Sequence, residues 1–213
     1  MPAEIGNGVM IPTFLYLAAY FVFFAAVHSL LADPRLKRWF RQRSPGSKRW
    51  YRIAFVILAL AMVLPFLYIL FIFPRSVLYV VPAPWRWLMV AGQLMSAMAL
   101  LGALHRTGIS SFFGLAQLRG GAEAGALVTD GLYCHLRNPL FFFGATFLWL
   151  SPIMTQSMLA FNVLATAYFY AGARHEERSL HEEFGREYKE YRKLVPMFVP
   201  RMRCYVSGKD GNR

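Results

Sequence analysis

Between Pro139 and Ala173 the chain runs for 35 residues without one charged side chain. A straight helix of that length would extend about 52 Å against roughly 30 Å of bilayer hydrocarbon, so the stretch is too long for one crossing and too apolar for water. It has to fold back. Ser151-Pro152, followed by Thr155, Gln156 and Ser157, supplies a helix stop and a polar turn, so the run reads as two legs of a hairpin, about 139–153 and 157–173. Three more charge-free runs precede it. Ile11 to Ala32 carries His28 near its end, Ile53 to Phe73 carries no ionisable chain apart from tyrosine, and Trp87 to Leu104 stops before His105 and Arg106.

Composition agrees. Of 213 residues 57% are hydrophobic and 16% charged, and mean hydropathy is +0.38, which excludes a disordered chain and leaves more large apolar surface than a small water-soluble domain can hide. The net charge of +12 would elsewhere suggest nucleic acid, but that reading needs a basic stripe on a soluble face, and none is expected here. Lys and Arg gather instead in 33–52, in 106–137 and from Arg174 onward. Five crossings with the N-terminus outside place 21 of the 23 basic residues on the cytoplasmic side, whereas a four-crossing chain would strand the basic C-terminus outside. The N-terminus lacks a basic n-region and a small-residue cleavage site, so the first helix is expected to remain as an anchor. Pro74 to Trp87, with Tyr79, Trp85 and Trp87, reads as an interfacial aromatic belt.

The expected fold is therefore all-α and integral to the membrane, a single domain over 1–213. Its five transmembrane helices are placed near 11–32, 53–73, 87–104, 139–153 and 157–173, the last two a hairpin. A cytoplasmic tail over 174–213 carries an amphipathic helix. Cys134 and Cys204 are too few for a disulfide framework and lack a C-x-x-C spacing, so they are expected as free thiols, with no metal site.

The topology brings 33–52, 105–138 and the tail to one leaflet. The middle segment is rich in glycine and leads into Arg137-Asn138-Pro139, where Pro139 suits the first position of a helix. That helix start and Arg137 together fit a carboxylate, though an arginine reaching for lipid headgroups is an equal reading. In the tail, Ala173, Glu177, Leu180, Phe184, Tyr188 and Tyr191 recur at helical spacing, which puts Glu177 on an apolar face with Glu176 on its flank; Glu182, Glu183, Glu187 and Glu190 read as a solvated face. A carboxylate on an apolar face needs an arginine or a ligand cation. His28 is an ionisable group within a crossing, where either a structural histidine or a functional one fits. The basic loop from Arg35 to Arg43 reads as a contact with anionic lipid.

Two blocks carry a resemblance. Gly131-Leu132-Tyr133 with Arg137-Asn138-Pro139, and Glu176-Glu177 with Leu180, Phe184-Gly185, Tyr188, Tyr191, Val195-Pro196 and Pro200, resemble the membrane methyltransferase superfamily of isoprenylcysteine carboxyl methyltransferase. Ser151 to Thr155, Thr166 to Tyr168, Glu176 to Arg178, Val195 to Met197 and Pro200-Arg201, with His28 to Leu31 and Lys37 to Trp39, are similar to bacterial methanethiol S-methyltransferases and NnrU-type proteins. The resemblance implies S-adenosylmethionine as methyl donor, bound at the cytoplasmic ends of the last helices by Arg137, Asn138, Pro139, Glu176 and Glu177, with Tyr133 and His135 beside them and Gln117 in the preceding loop. It implies Glu177 and His28 as catalytic candidates, His28 for thiol deprotonation, a small apolar thiol such as methanethiol as acceptor, and the bacterial inner membrane as location. Asn138, Phe141 and Phe143 depart from the family's usual histidine, tyrosine and glycine.

Other functions stay open on sequence. A prenylated cysteine or a phospholipid is an alternative acceptor, the membrane sterol reductases share a similar C-terminal layout and use NADPH, and an NnrU-like accessory protein would have no activity at all. A sulfonium donor meeting a thiolate gives two neutral products, a reaction that apolar surroundings favour.

Overall fold

The computed structural model describes residues 5–43, 47–72, 76–108 and 126–205, and they are mostly helical. In chain order they form α1 (Ile5–Ala32), α2 (Pro34–Arg43), α3 (Ser47–Ile72), β1 (Val77–Val80), α4 (Trp85–Thr107), a 3-10 turn (Gly131–Cys134), α5 (Pro139–Trp149), β2 (Ile153–Thr155) and α6 (Gln156–Leu194).

Among the described residues three helices are long and apolar enough to cross a membrane: Phe14–Ala32 within α1, Trp50–Leu70 within α3, and Trp85–Thr107. Their large side chains are left uncovered by protein. Leu15, Tyr16, Val22 and Phe23 on α1, Ile57, Leu60, Leu64 and Tyr68 on α3, and Leu88, Leu94, Met95, Met98 and Leu101 on α4 are all more than half exposed. Contiguous apolar surface on that scale requires lipid.

The chain divides into two units. In the first, α1 and α3 pack around Phe66, which is 3% exposed and meets the rings of Tyr20, Phe21, Phe24 and Phe161 at 4.7–5.7 Å. Tyr20 and Tyr51 cap this contact by donating to the carbonyls of Met62 and Leu31, which satisfies their hydroxyls inside an apolar layer. β1 and β2 pair antiparallel, Val77 opposite Thr155 and Val80 opposite Ile153, and the Gln156 amide extends the link to the Ser76 carbonyl.

In the second unit α4 lies along α5. Gly92 admits Leu150, since a Cβ there would stand 2.8 Å from its Cδ1; Gln93 donates to the Phe147 carbonyl. Gly144 and Gly172 likewise let Phe169 and Phe141 approach the α5–α6 contact.

Four sequence expectations need correction. The fourth leg is shorter than the expected 139–153, since α5 ends at Trp149 and is 11 residues, about 16 Å, long. The expected polar turn is partly the strand Ile153–Thr155, because a partner strand 73 or more residues earlier satisfies its backbone, a short pairing in a mostly helical fold. The amphipathic tail helix is no separate element, since α6 runs without interruption through Ala173 and bends only at Gly185, whose φ of 52° and ψ of −110° are open to glycine alone. Finally, Cys134 and Cys204 are not free but joined in a disulfide across 70 residues, with Cα atoms 4.8 Å apart. The chain after α6 folds back over the 3-10 turn, and no local spacing signals that return.

Candidate active site

The second unit gathers charged groups where α5 begins and α6 passes. Asn138 precedes α5 and Pro139 opens it, at the position where proline's missing donor costs nothing. Residues 133–137 run beside the end of the chain and are tied to it by a ladder. The Arg137 amide donates to the Pro196 carbonyl at 3.0 Å, the Arg201 amide to the His135 carbonyl and the Tyr205 amide to the Cys134 carbonyl, both at 3.1 Å. His135 Nδ1 meets the Arg201 carbonyl at 2.8 Å. The Arg201 guanidinium in turn reaches the Leu194 carbonyl at the end of α6.

This ladder fixes the Arg137 backbone, and α6 supplies its partner. Arg137 Nη2 lies 2.9 Å from Glu177 Oε1, with side chains only 9% and 7% exposed. Asn138 Nδ2 donates to the same carboxylate oxygen at 3.1 Å. Glu177 thus sits on the apolar face of α6 with a cation and an amide on it, as a buried carboxylate must. Ala173, Tyr188 and Tyr191 on that face are buried, Leu180 and Phe184 pack on the Tyr188–Tyr191–Val195 cluster, and Glu182, Glu183, Glu187 and Glu190 are exposed.

The arrangement is incomplete in an informative way. Arg137 Nε, Tyr188 Oη and His181 Nδ1 are buried with no hydrogen-bond partner among the described residues. Arg137 Nη1 makes only a long 3.4 Å contact with the Arg192 carbonyl. Arg137 Nε and Tyr188 Oη are donors, and each buried donor left unpaired costs on the order of 1–3 kcal/mol. Tyr188 is fully buried, and its hydroxyl pKa is pushed up to about 12, first by desolvation and then by Glu177, against the lowering pull of Arg137 and Arg192. It therefore stays a neutral donor. The Tyr133 hydroxyl is also raised, by burial and by Glu176, with a bond to Thr107 opposing. Its carbonyl accepts from Tyr191 at 2.6 Å.

Glu176 is exposed, next to the buried Glu177. Desolvation, and next the neighbouring Glu177, raise its pKa. The structure thus brings Tyr133, His135, Arg137, Asn138, Pro139, Glu176 and Glu177 into one unit. His28 belongs to the other, stacked on Phe24 at 5.6 Å and beside Phe55 at 4.8 Å. Gln117 lies outside the described residues. Sequence reasoning placed Tyr188 on the right face but gave it no role; its signal was the helical spacing from Glu177.

Long lipid-facing helices define an integral membrane protein, whose second unit holds a buried ion pair beside unpaired polar atoms. Comparison with known proteins gives the family. The chain is 30% identical to methanethiol S-methyltransferase 2 of Bradyrhizobium diazoefficiens over an alignment covering 94% of this chain and 76% of that protein. It is 28% identical to a methanethiol S-methyltransferase of a Pseudomonas species over 92% and 77%. An Arabidopsis thaliana protein-S-isoprenylcysteine O-methyltransferase B is 30% identical over 53% of the chain and 56% of its own length. No family model and no solved structure matches. The chain belongs to the methanethiol S-methyltransferase family.

Proposed function

We propose that this protein is a membrane methyltransferase that moves a methyl group from S-adenosylmethionine to methanethiol, giving dimethyl sulfide. The observation that carries the reading is the buried Arg137–Glu177 pair surrounded by donors without acceptors. An amino-acid-bearing donor has the groups this site lacks. Its carboxylate suits Arg137 Nε and Tyr188 Oη, and its ammonium or sulfonium suits Glu176, which is a single step from water.

When bound, the donor supplies a methyl group on a cationic sulfur. The chain's own contribution is positional and electrostatic. Glu177 orients Arg137, Asn138 holds Glu177, and the ladder from Pro196 to Tyr205 keeps Arg137 from retreating to solvent. Tyr188, neutral across the physiological range, donates without adding charge. Phe141, Phe142, Phe143 and Phe169 line the neighbouring start of α5 with apolar surface, which favours a reaction that removes charge. For His28 the proposed role is removal of the thiol proton.

The proposed topology is five passes in the bacterial inner membrane, N-terminus outside, with lipid as the surrounding partner and route of thiol entry. Two observations support it. The basic residues distribute as that arrangement requires, and β1–β2 joins the segment after the second pass to the turn after the fourth, two places assigned to the same outer side. Tag-free protein in nanodiscs, given methyl-labelled donor and methanethiol, is expected to release labelled dimethyl sulfide into the headspace. Donor bound by calorimetry but no volatile product would remove methanethiol as acceptor; no donor binding would remove the reading altogether.

A further inference from the structure

In the same ladder lies a second cluster, to whose sulfur and imidazole atoms methyl transfer assigns no chemical step. Cys134, His135 and Cys204 each offer a ligand atom, and these atoms all lie within 4.8 Å of one another. They come from the two strands of the ladder, so backbone hydrogen bonds at His135 and Cys134 hold them together independently of the sulfur–sulfur bond. Cys134 is buried at 2% exposure, His135 half-buried and Cys204 exposed, so the bridge lies between a buried and a surface residue.

The histidine is prepared as a ligand. A backbone carbonyl only accepts, so His135 Nδ1 donates to the Arg201 carbonyl, and in the neutral ring Nε2 is then the nitrogen with the free lone pair. This is the outer-shell bond that metal-bound imidazoles make. Reduction of the disulfide takes two electrons and two protons from an external dithiol, which is itself oxidised to a disulfide, and yields two thiols. Cation binding then releases both protons and gives two thiolates, whose charge cancels that of a divalent ion. In a tetrahedral site with about 2.3 Å metal–sulfur bonds the sulfurs stand about 3.7 Å apart, a separation reached when the exposed Cys204 side chain swings away from Cys134.

We propose that Cys134, His135 and Cys204 form a redox-gated site for one thiophilic divalent cation of the zinc class, closed as a disulfide when oxidised and open when reduced. Two sulfurs and one imidazole select zinc over magnesium or calcium, and three protein ligands leave a fourth position to water or an external thiol. The inference goes beyond the methyl-transfer reading and does not depend on it.

The test uses tag-free full-length protein in detergent, reduced with dithiothreitol, desalted without oxygen and titrated with cobalt(II). The chain has only two cysteines, so any sulfur-to-cobalt charge-transfer band reports this pair. We expect one equivalent of cobalt with that band and intense tetrahedral visible bands, displaced by zinc, and absent from the oxidised protein. H135A and C204S are each expected to weaken cobalt binding at least about 10–100-fold. On wild type, zinc should protect both thiols from a thiol reagent, a readout that needs no variant. Two titratable thiols without the cobalt band would overturn the site. A disulfide that resists reduction in the folded protein would overturn the gating, and unchanged affinity in H135A would overturn the role of His135.

Discussion

Removing the Glu177 carboxylate tests the site at its tightest point. In E177A, Arg137 keeps its charge in a place where its side chain is 9% exposed, and its remaining contact is the 3.4 Å one to the Arg192 carbonyl. Asn138 Nδ2 loses its acceptor as well. Breaking one partner of a buried pair costs about 3–5 kcal/mol, or roughly two to four orders of magnitude in the folding equilibrium. E177Q keeps the shape and an acceptor oxygen for Asn138 but not the charge, so it should cost less, about 1–3 kcal/mol. The double variant R137M/E177L removes both charges and should recover most of the loss, since apolar replacement of a buried pair is often neutral or better. Equilibrium unfolding in mixed micelles reads these stabilities, and calorimetry reads donor affinity. All three variants should bind the donor poorly, even the one that is stable. Single variants as stable as wild type, or a double variant carrying the sum of the single losses, would refute a buried, coupled pair.

The raised pKa of Glu176 gives a pH dependence. An acid whose folded pKa is raised costs stability progressively as pH climbs from its ordinary value through the folded value, so E176Q should gain stability relative to wild type over that window in pH-dependent melts. Binding of a cation needs the ionised form, so donor affinity should rise with pH across the same window with proton release, and E176Q should lose that slope in calorimetry run in buffers of different ionisation enthalpy. Gly185 has a φ of 52° and nothing within 4 Å of an added Cβ, so G185A should cost about 1–3 kcal/mol of backbone strain and no clash, read as a lower thermal midpoint. If His28 removes the thiol proton, H28A should lower turnover most at neutral pH and progressively less as rising pH ionises the thiol in solution; a uniform loss at every pH would assign it to packing against Phe24 and Phe55.

Charge-free length made α1, α3 and α4 legible, because nothing but lipid accommodates such runs. The Glu177 face of α6 was legible too, since helical spacing from Ala173 to Tyr191 survives the bend at Gly185. What escaped was non-local. Ile153–Thr155 is a strand only because Val77–Val80 pairs with it, and the Cys134–Cys204 bridge exists only because the chain after Leu194 returns to the 3-10 turn. Pro152 was read correctly as a stop, but a stop does not say what the next residues pair with. Asn138 donates to Glu177 across 39 residues, a contact that no local pattern around position 138 reveals.

The account stands on a sulfonium donor held by the polar cluster of the second unit. Isothermal calorimetry of S-adenosylhomocysteine against wild type and E177Q in nanodiscs tests it most directly. One site per chain on wild type, with affinity lowered in E177Q, is the expected result; equal affinity in both proteins, or heat from neither, would contradict it.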